Sequence, residues 1–243
     1  MDSSEARTLL RTVRILADLE DAELDVLAAA TVWKSALAGG EVISHLDKGN
    51  QVFLVIDGML RARLETALGR QVAIRRIPAG EHFGEIAALT NAPRSLSITA
   101  ETNALLGECR ADAFLDLMMR NGAFATAIAT HLARTVVSLT DRVFELSALE
   151  VRFRVYAELL RLASLGEATS EGVFIRNAPT HESIASSVGA QREAVTRELR
   201  ALANEGVLRQ VKREILILNI EELRELVRRR AGYTTLETSG GRP

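Results

Sequence analysis

The chain has 243 residues, 47% of them hydrophobic, with 30 Lys and Arg against 32 Asp and Glu. That length favours two domains over one, and the apolar share supplies a sizeable core, while sixteen glycines and four prolines are too few for a disordered chain. The single cysteine, Cys109, excludes an internal disulfide or a cysteine-bound cluster, so a reducing, cytoplasmic setting is expected.

The first residues, "MDSSEARTLLRTVRIL", place acids ahead of the first base and contain no long apolar run. They read as neither a signal peptide nor a membrane anchor, and no membrane association is expected. Residues 20–30, "EDAELDVLAAA", predict a short helix with an acidic first turn. From about residue 40 to 108 the pattern is short apolar runs with glycine punctuation: "QVFLVIDG" ends at Gly58, "MLRARLE" alternates, "RQVAIRRIPAG" ends at Gly80, and "SLSITAET" alternates again. Period two with regular turn signals predicts an antiparallel sandwich or barrel. "HLDKGNQ" (45–51) is a polar loop, and "ALGR" (67–70) is a hairpin-turn candidate.

Within that β region, "EHFGEIAALTNAPRSLSITA" (81–100) is small and apolar, yet carries Glu85 and Arg94. A buried carboxylate and guanidinium are costly unless each finds a partner. Either they pair with each other, or they serve a ligand that carries a phosphate and hydroxyls. In the second case Arg94 forks onto the phosphate, and Gly84 lets backbone amides approach the anion. Glu85 then accepts from a sugar hydroxyl, Ser95 donates to the phosphate or to a base, and Ile86 belongs to the same site. Pro93 presets the turn before Arg94.

After residue 111 glycine nearly vanishes. Ile128, Leu132, Val136, Leu139, Val143 and Leu146 recur at helical spacing. Such a stripe either covers the helix's own domain or forms a dimer seam; the narrow stripe flanked by Arg134, Asp141, Arg142 and Glu145 favours the seam. A second helix is predicted over 150–166, with Glu150 able to cap its start and Gly166 as its C-cap. "EATSEG" is expected to be a linker.

Residues 176–243 hold 12 basic and 9 acidic side chains, net +3, whereas residues 1–175 hold 18 and 23, net −5. The asymmetry directs attention to the C-terminal third. There, "NAPTHESIASSVGAQREAVTRELRALANEGVLRQVKREILILN" (177–219) predicts two short helices. Thr180 caps the first, Ile184, Ala185 and Val188 form its buried face, and Gly189 ends it. The second starts near Gln191 with Val195, Leu199 and Leu202 inward. This is a helix-turn-helix followed by a two-stranded wing. Asn219 with Glu222 begins a last helix, and "TTLETSGGRP" is expected to be a loose tail. Arg192, Glu193, Thr196, Arg197 and Arg200 then face out. An exposed acid between arginines suits base reading better than pure phosphate binding, because it repels the backbone while accepting from cytosine. Thr180, Lys212 and Arg213 are candidates for phosphate contacts, and Gln191 for a further contact at the helix start.

Two stretches resemble the CRP/FNR family of bacterial regulators. "HFGEIAALTNAPRSLSITAET" is similar to the family's phosphate-binding cassette, and "THESIASSVGAQREAVTRELRALANEGVL" to its helix-turn-helix. The resemblance covers almost the whole chain in the family's order. It implies an α+β fold: an N-terminal cyclic nucleotide-binding β-roll, jelly-roll-like (1–120), a long dimerisation helix (121–149), a winged helix-turn-helix (150–232) and a flexible tail (233–243). Gly84 and Glu85 match the ribose-binding pair, and Arg94 and Ser95 the phosphate-binding pair. Thr140 matches one of two base-touching positions, while Leu139 stands where the other would be threonine, so cyclic AMP and cyclic GMP both stay open as effectors. Arg192, Glu193 and Arg197 match base-reading positions that go with a GTGA-like half-site. The implied partners are a palindromic double-stranded DNA operator, a second copy of the chain and RNA polymerase.

No histidine–carboxylate–nucleophile set and no P-loop is present, so no enzyme is expected. The histidines at 45, 82, 131 and 181 are scattered in sequence, and no metal is expected. His82 invites a haem-ligand reading, but the intact Glu85 and Arg94 argue against it, and a surface or packing histidine is the expectation. Two other readings stand: a regulator with an unresponsive pocket that binds DNA constitutively, and a nucleotide-binding module acting on a protein partner.

Overall fold

A computed structural model of the chain describes residues 2–65 and 71–231. The hairpin turn expected at 67–70 and the tail at 233–243 lie outside the described residues. The backbone divides into two compact units, residues 1–134 and 135–243.

The first unit opens with α1 (Ser3–Arg11), whose N-cap Asp2 accepts from the Glu5 amide. Sequence patterning missed this short, mostly exposed helix. A 3-10 turn (Arg14–Leu16) leads to α2 (Asp21–Ala29), the expected acidic helix, closed by a reciprocal cap between Glu20 and Glu23. The strands begin at β1 (Thr31–Ala36), earlier than expected, followed by β2 (Glu41–Ile43), β3 (Val52–Asp57), β4 (Met59–Glu65) and β5 (Gln71–Pro78). Then come β6 (His82–Phe83), the short α3 (Glu85–Thr90), β7 (Ser97–Ala100), β8 (Ala104–Cys109) and α4 (Ala111–Arg120).

These strands form two antiparallel sheets, ordered β1-β8-β3-β6 and β2-β7-β4-β5. Phe53, Val55, Leu60, Ile77, Phe83, Ile98 and Leu106 fill a core drawn from both. A second cluster gathers Leu10, Leu24 and Leu27 with Val52, Leu54, Phe114, Phe124 and Ile128. It closes the other face of the first sheet with α1, α2, α4 and the start of α5 (Gly122–Ala148). At 27 residues α5 is about 40 Å long. Its apolar stripe splits in two. Ile128 is buried and Leu132 packs against the same cluster, whereas Val136, Leu139, Val143 and Leu146 are 62, 46, 65 and 45% exposed.

The second unit takes the end of α5, α6 (Val151–Ala163), β9 (Glu167–Thr169), β10 (Gly172–Ile175), α7 (His181–Val188), α8 (Arg192–Asn204), β11 (Leu208–Val211), β12 (Glu214–Ile217) and α9 (Ile220–Ala231). Here three expectations need correction. The helix predicted to 166 ends at Ala163, with Ser164 still right-handed as its C-cap. Gly166 is needed for another reason: a Cβ there would lie 2.8 Å from the Phe174 carbonyl oxygen. Glu150 does stand at the N-cap of α6, but makes no side-chain capping bond. "EATSEG" is a hairpin rather than a linker: β9 pairs with β10, and β10 with β12, so the wing belongs to a four-stranded sheet, β11-β12-β10-β9. All of β9 is exposed, so it lacks the alternation that marks a strand.

Buried charges also fix this unit. Arg161 clamps Glu145 at 2.8 and 3.0 Å and reaches Glu158 at 2.9 Å, and Arg142 meets Glu158 at 3.0 Å. Arg142 also donates to the Ser187 carbonyl at 2.6 Å. Arg142 and Glu145, expected beside the seam, therefore turn inward to α6 and α7.

Candidate functional site

Glu85 and Arg94 are both buried, 4% and 3% exposed, and they are not paired with each other among the described residues. Arg94 follows α3 through Asn91, whose left-handed φ of 53° ends the helix, and Pro93. Its backbone bonds both ways to the 45–51 loop: its amide donates to the Asp47 carbonyl, and its carbonyl accepts from the Leu46 amide. Its guanidinium donates to the Gly84 carbonyl at 3.3 Å, the Gln51 carbonyl at 2.9 Å and the Gln51 side-chain oxygen at 3.2 Å, with the Phe53 ring 5.5 Å away. Burial pulls the guanidinium below its ordinary value, while Glu108, Asp47 and Glu85 act the other way; arginine still remains a cation. The arrangement requires Gly84. Its φ is 93°, and a Cβ would stand 2.7 Å from both Arg94 Nη1 and the Gln51 carbonyl oxygen. Glu85 Oε2 is buried with no hydrogen-bond partner among the described residues. A fixed cation and an unsatisfied carboxylate oxygen thus share one short segment, a donor–acceptor set matched to an anion bearing a hydroxyl. Ser95 and Ile86 are exposed beside it.

His82 is not a surface residue. It is 1% exposed in β6, and its ring lies 4.3 Å from that of His131 on α5, tilted by 48°. Burial holds its imidazole down at about 3, with His131 and Arg75 adding to the effect. His131 Nε2 stands 4.0 Å from Glu85 Oε1. The histidines scattered along the sequence are therefore, in this pair, brought together.

On the helix-turn-helix, Thr180 caps α7 by accepting from the Ser183 amide, and Gly189 closes it in the left-handed region. Val195, Leu199 and Leu202 are buried, as expected. Gln191, Arg192, Glu193, Arg197 and Arg200 are exposed, and Thr196 is half-buried. The wing tip carries exposed Lys212, at a left-handed φ of 54°, and exposed Arg213. A cavity of about 470 Å³ lies between α7, α8 and the wing, lined by Thr180, His181, Arg192, Gln210, Lys212 and Arg213 among others. The last wall is built by a relay. Gln210 Nε2 meets His181 Nε2 at 3.1 Å, His181 Nδ1 meets Thr196 Oγ1 at 2.8 Å, and that hydroxyl donates to the Arg192 carbonyl. With Nε2 accepting, the His181 proton sits on Nδ1. On α5, Leu139 and Thr140 are both exposed, and the Thr140 hydroxyl donates to the Val136 carbonyl.

Comparison with known proteins matches each half to a known domain. Residues 33–121 match the cyclic nucleotide-binding domain, and residues 153–226 the Crp-like helix-turn-helix domain. The cyclic AMP receptor protein of Thermus thermophilus is 34% identical over 172 residues, 70% of this chain and 76% of that protein. The chain belongs to the CRP/FNR family of transcriptional regulators. A CRP-like cAMP-activated global transcriptional regulator of Mycobacterium tuberculosis is 25% identical over 186 residues, covering 76% of this chain and 83% of that one. Among solved structures, FixK2 from Bradyrhizobium japonicum shares the fold, with a TM-score of 0.73 at 18% identity over 81% of this chain and 96% of its own.

This CRP/FNR member is thus a DNA-binding regulator and not an enzyme, as the sequence led one to expect. Among its described residues no helix is long and apolar enough to cross a membrane. Sequence reasoning missed Gln51 and Asp47, which hold Arg94 from a loop noted only as polar. It also missed His131 beside Glu85, and His181 and Gln210 beneath the wing. The glycine in "HLDKGNQ" was the one local sign that the loop packs closely; the others are tertiary meetings with no local sign.

Proposed function

We propose that the chain is a homodimeric transcription factor of the cytoplasm that occupies an inverted-repeat operator when cyclic AMP or cyclic GMP fills its N-terminal domain. The observation that carries this reading is the buried pair Arg94 and Glu85, each fixed, neither satisfied by the other. Arg94 takes the cyclic phosphate and Glu85 Oε2 accepts from the ribose hydroxyl, with Gly84, Ile86 and Ser95 around them. Thr140 supplies a polar contact to the base, beside Leu139. Two of the relatives named above are themselves a cyclic AMP receptor and a cAMP-activated regulator.

The exposed half of the α5 stripe supports a second copy as partner, since four large apolar side chains in a line lack cover of their own. Val143→Glu places like charges at the seam of such a dimer. Sedimentation should then show the dimer replaced by monomer at micromolar concentration; an unchanged dimer would place the interface elsewhere.

Arg192, Glu193 and Arg197 present base-reading chemistry, while Thr180, Gln191, Thr196, Lys212 and Arg213 flank them toward the phosphates. RNA polymerase is the further partner this reading implies. A selection from random duplexes, run with either nucleotide, tests it. It should return an inverted repeat with GTGA-like halves whose centres are about 34–36 Å apart. Arg192→Ala and Arg197→Ala should each cost about 1–3 kcal/mol and relax one base position, and Lys212→Ala should reduce the salt slope by about one unit. A direct repeat, or selection indifferent to nucleotide, would overturn the reading.

A further inference from the structure

His82, His131 and Glu81 make a constellation that the regulator's two sites leave unused. One ligand atom from each lies within 4.8 Å of the others. His82 is 1% exposed, and its Nε2 is buried without a hydrogen-bond partner among the described residues. A ring nitrogen left dry and unpaired is an unfavourable way to fill a core that a phenyl ring would fill without cost. The two imidazoles sit 4.3 Å apart and tilted rather than stacked. A second carboxylate, Glu85, reaches within 4.0 Å of His131 Nε2. Access exists on one side, where the side chains of Glu81 and His131 are 19% and 18% exposed. Glu81 also pairs with Arg14 at 2.6 Å, which holds its carboxylate at the rim.

We propose that a divalent transition-metal ion of the zinc class binds between His82, His131 and Glu81, with Glu85 in reach as a further ligand. Two imidazole nitrogens with carboxylate oxygens suit zinc, cobalt or nickel rather than magnesium or calcium, which prefer oxygen alone. Ligands at about 2.0–2.1 Å from an ion stand roughly 3.3 Å apart, so closing this set takes a contraction of up to about 1.5 Å. A rotation of the rim carboxylate away from Arg14, with a turn of the His131 ring, would supply it. Arg75, which acts electrostatically on both imidazoles, opposes a cation there, and the two carboxylates oppose Arg75. The bound ion would staple α5 to β6, joining residues 49 positions apart (82 and 131).

The test uses the full chain, stripped with a chelator and without nucleotide. Zinc affinity is measured by competition with a chromophoric chelator, and cobalt binding by its visible absorption. One saturable ion per chain is expected, with a cobalt band of low-symmetry nitrogen–oxygen coordination. His82→Gln and His131→Gln should each weaken zinc by at least about tenfold, no less than loss of a group that merely orients a ligand costs, and erase the band, while His45→Gln changes neither. Should His82→Gln fail to fold, the rim variants His131→Gln and Glu81→Gln carry the test. An absence of saturable binding, or binding indifferent to His131→Gln and Glu81→Gln, would overturn the proposal.

Discussion

Arg94→Ala is expected to abolish measurable cyclic nucleotide binding while the second unit stays folded and still contacts DNA nonspecifically. The residue is 3% exposed, and among the described residues its guanidinium bonds to carbonyl and amide oxygens at Gly84 and Gln51 and to no carboxylate, so an anionic ligand would be its charged partner. Removing one member of a buried, hydrogen-bonded charge pair costs about 2–5 kcal/mol, roughly 30-fold to several-thousand-fold in affinity. Arg94→Lys keeps the charge but loses the fork, so it should fall between the two. Calorimetry with each nucleotide, beside circular dichroism of the apo protein, makes the measurement. Normal binding by Arg94→Ala would place the phosphate elsewhere. A melted first unit would show that the arginine's bonds to Gly84 and Gln51 are its main work.

Glu158→Ala should destabilise the second unit by about 3–5 kcal/mol, because it takes the carboxylate from a largely buried Arg142 and leaves Arg161 with Glu145 alone. Burial pushes the Glu158 carboxyl up, yet Arg161 and Arg142 together outweigh burial and hold it below its ordinary value. A carboxyl held low in the folded state stabilises that state at pH values above its unfolded pKa of about 4.3. That stabilisation is lost as the pH falls through the folded value. Wild-type protein should thus lose stability on acidification below about pH 4–5, and Glu158→Gln, though weaker at neutral pH, should show a shallower acid limb. Urea unfolding at a series of pH values reads both effects. Parallel acid limbs would mean that the network does not titrate as a unit.

Much of this was legible from the sequence where the signals are local. Thr180 as a cap, Gly189 as a stop and the inward Val195, Leu199 and Leu202 lie within 23 residues, and each does in the structure what its neighbours imply. The strand β4 alternates, with Leu60 and Ala62 buried between half-buried neighbours, whereas β3 reads as an unbroken apolar run because both its faces are covered, Phe53 and Val55 by one cluster and Val52 and Leu54 by the other. By contrast β9 is polar on both faces, and only its ladder to β10 defines it. The short α1 rests on two buried residues, Ala6 and Leu10, too few for a periodic pattern. The α5 stripe had one spacing but two fates: Ile128 and Leu132 found cover in their own unit, and Val136 to Leu146 did not. Spacing cannot tell these apart, because it records which side is apolar and not what lies against it. The site shows the same division. Glu85 and Arg94 stood out as charges in an apolar run, whereas Gln51 and His131 meet them only once the sheets and α5 have packed.

Arg142, reaching from α5 to the Ser187 carbonyl in the last turn of α7, and Glu145, gripped by Arg161 of α6, weld the end of α5 to the reading head. The corner at Glu150 then lies inside a solid body, and bending there would first have to break buried charge pairs. The last two turns of α5 act as the handle of a lever whose far end is α8. In a dimer held along the exposed half of α5, a twist applied at Val143 would pass through these pairs to α6 and α7 and so change the spacing of the two copies of α8.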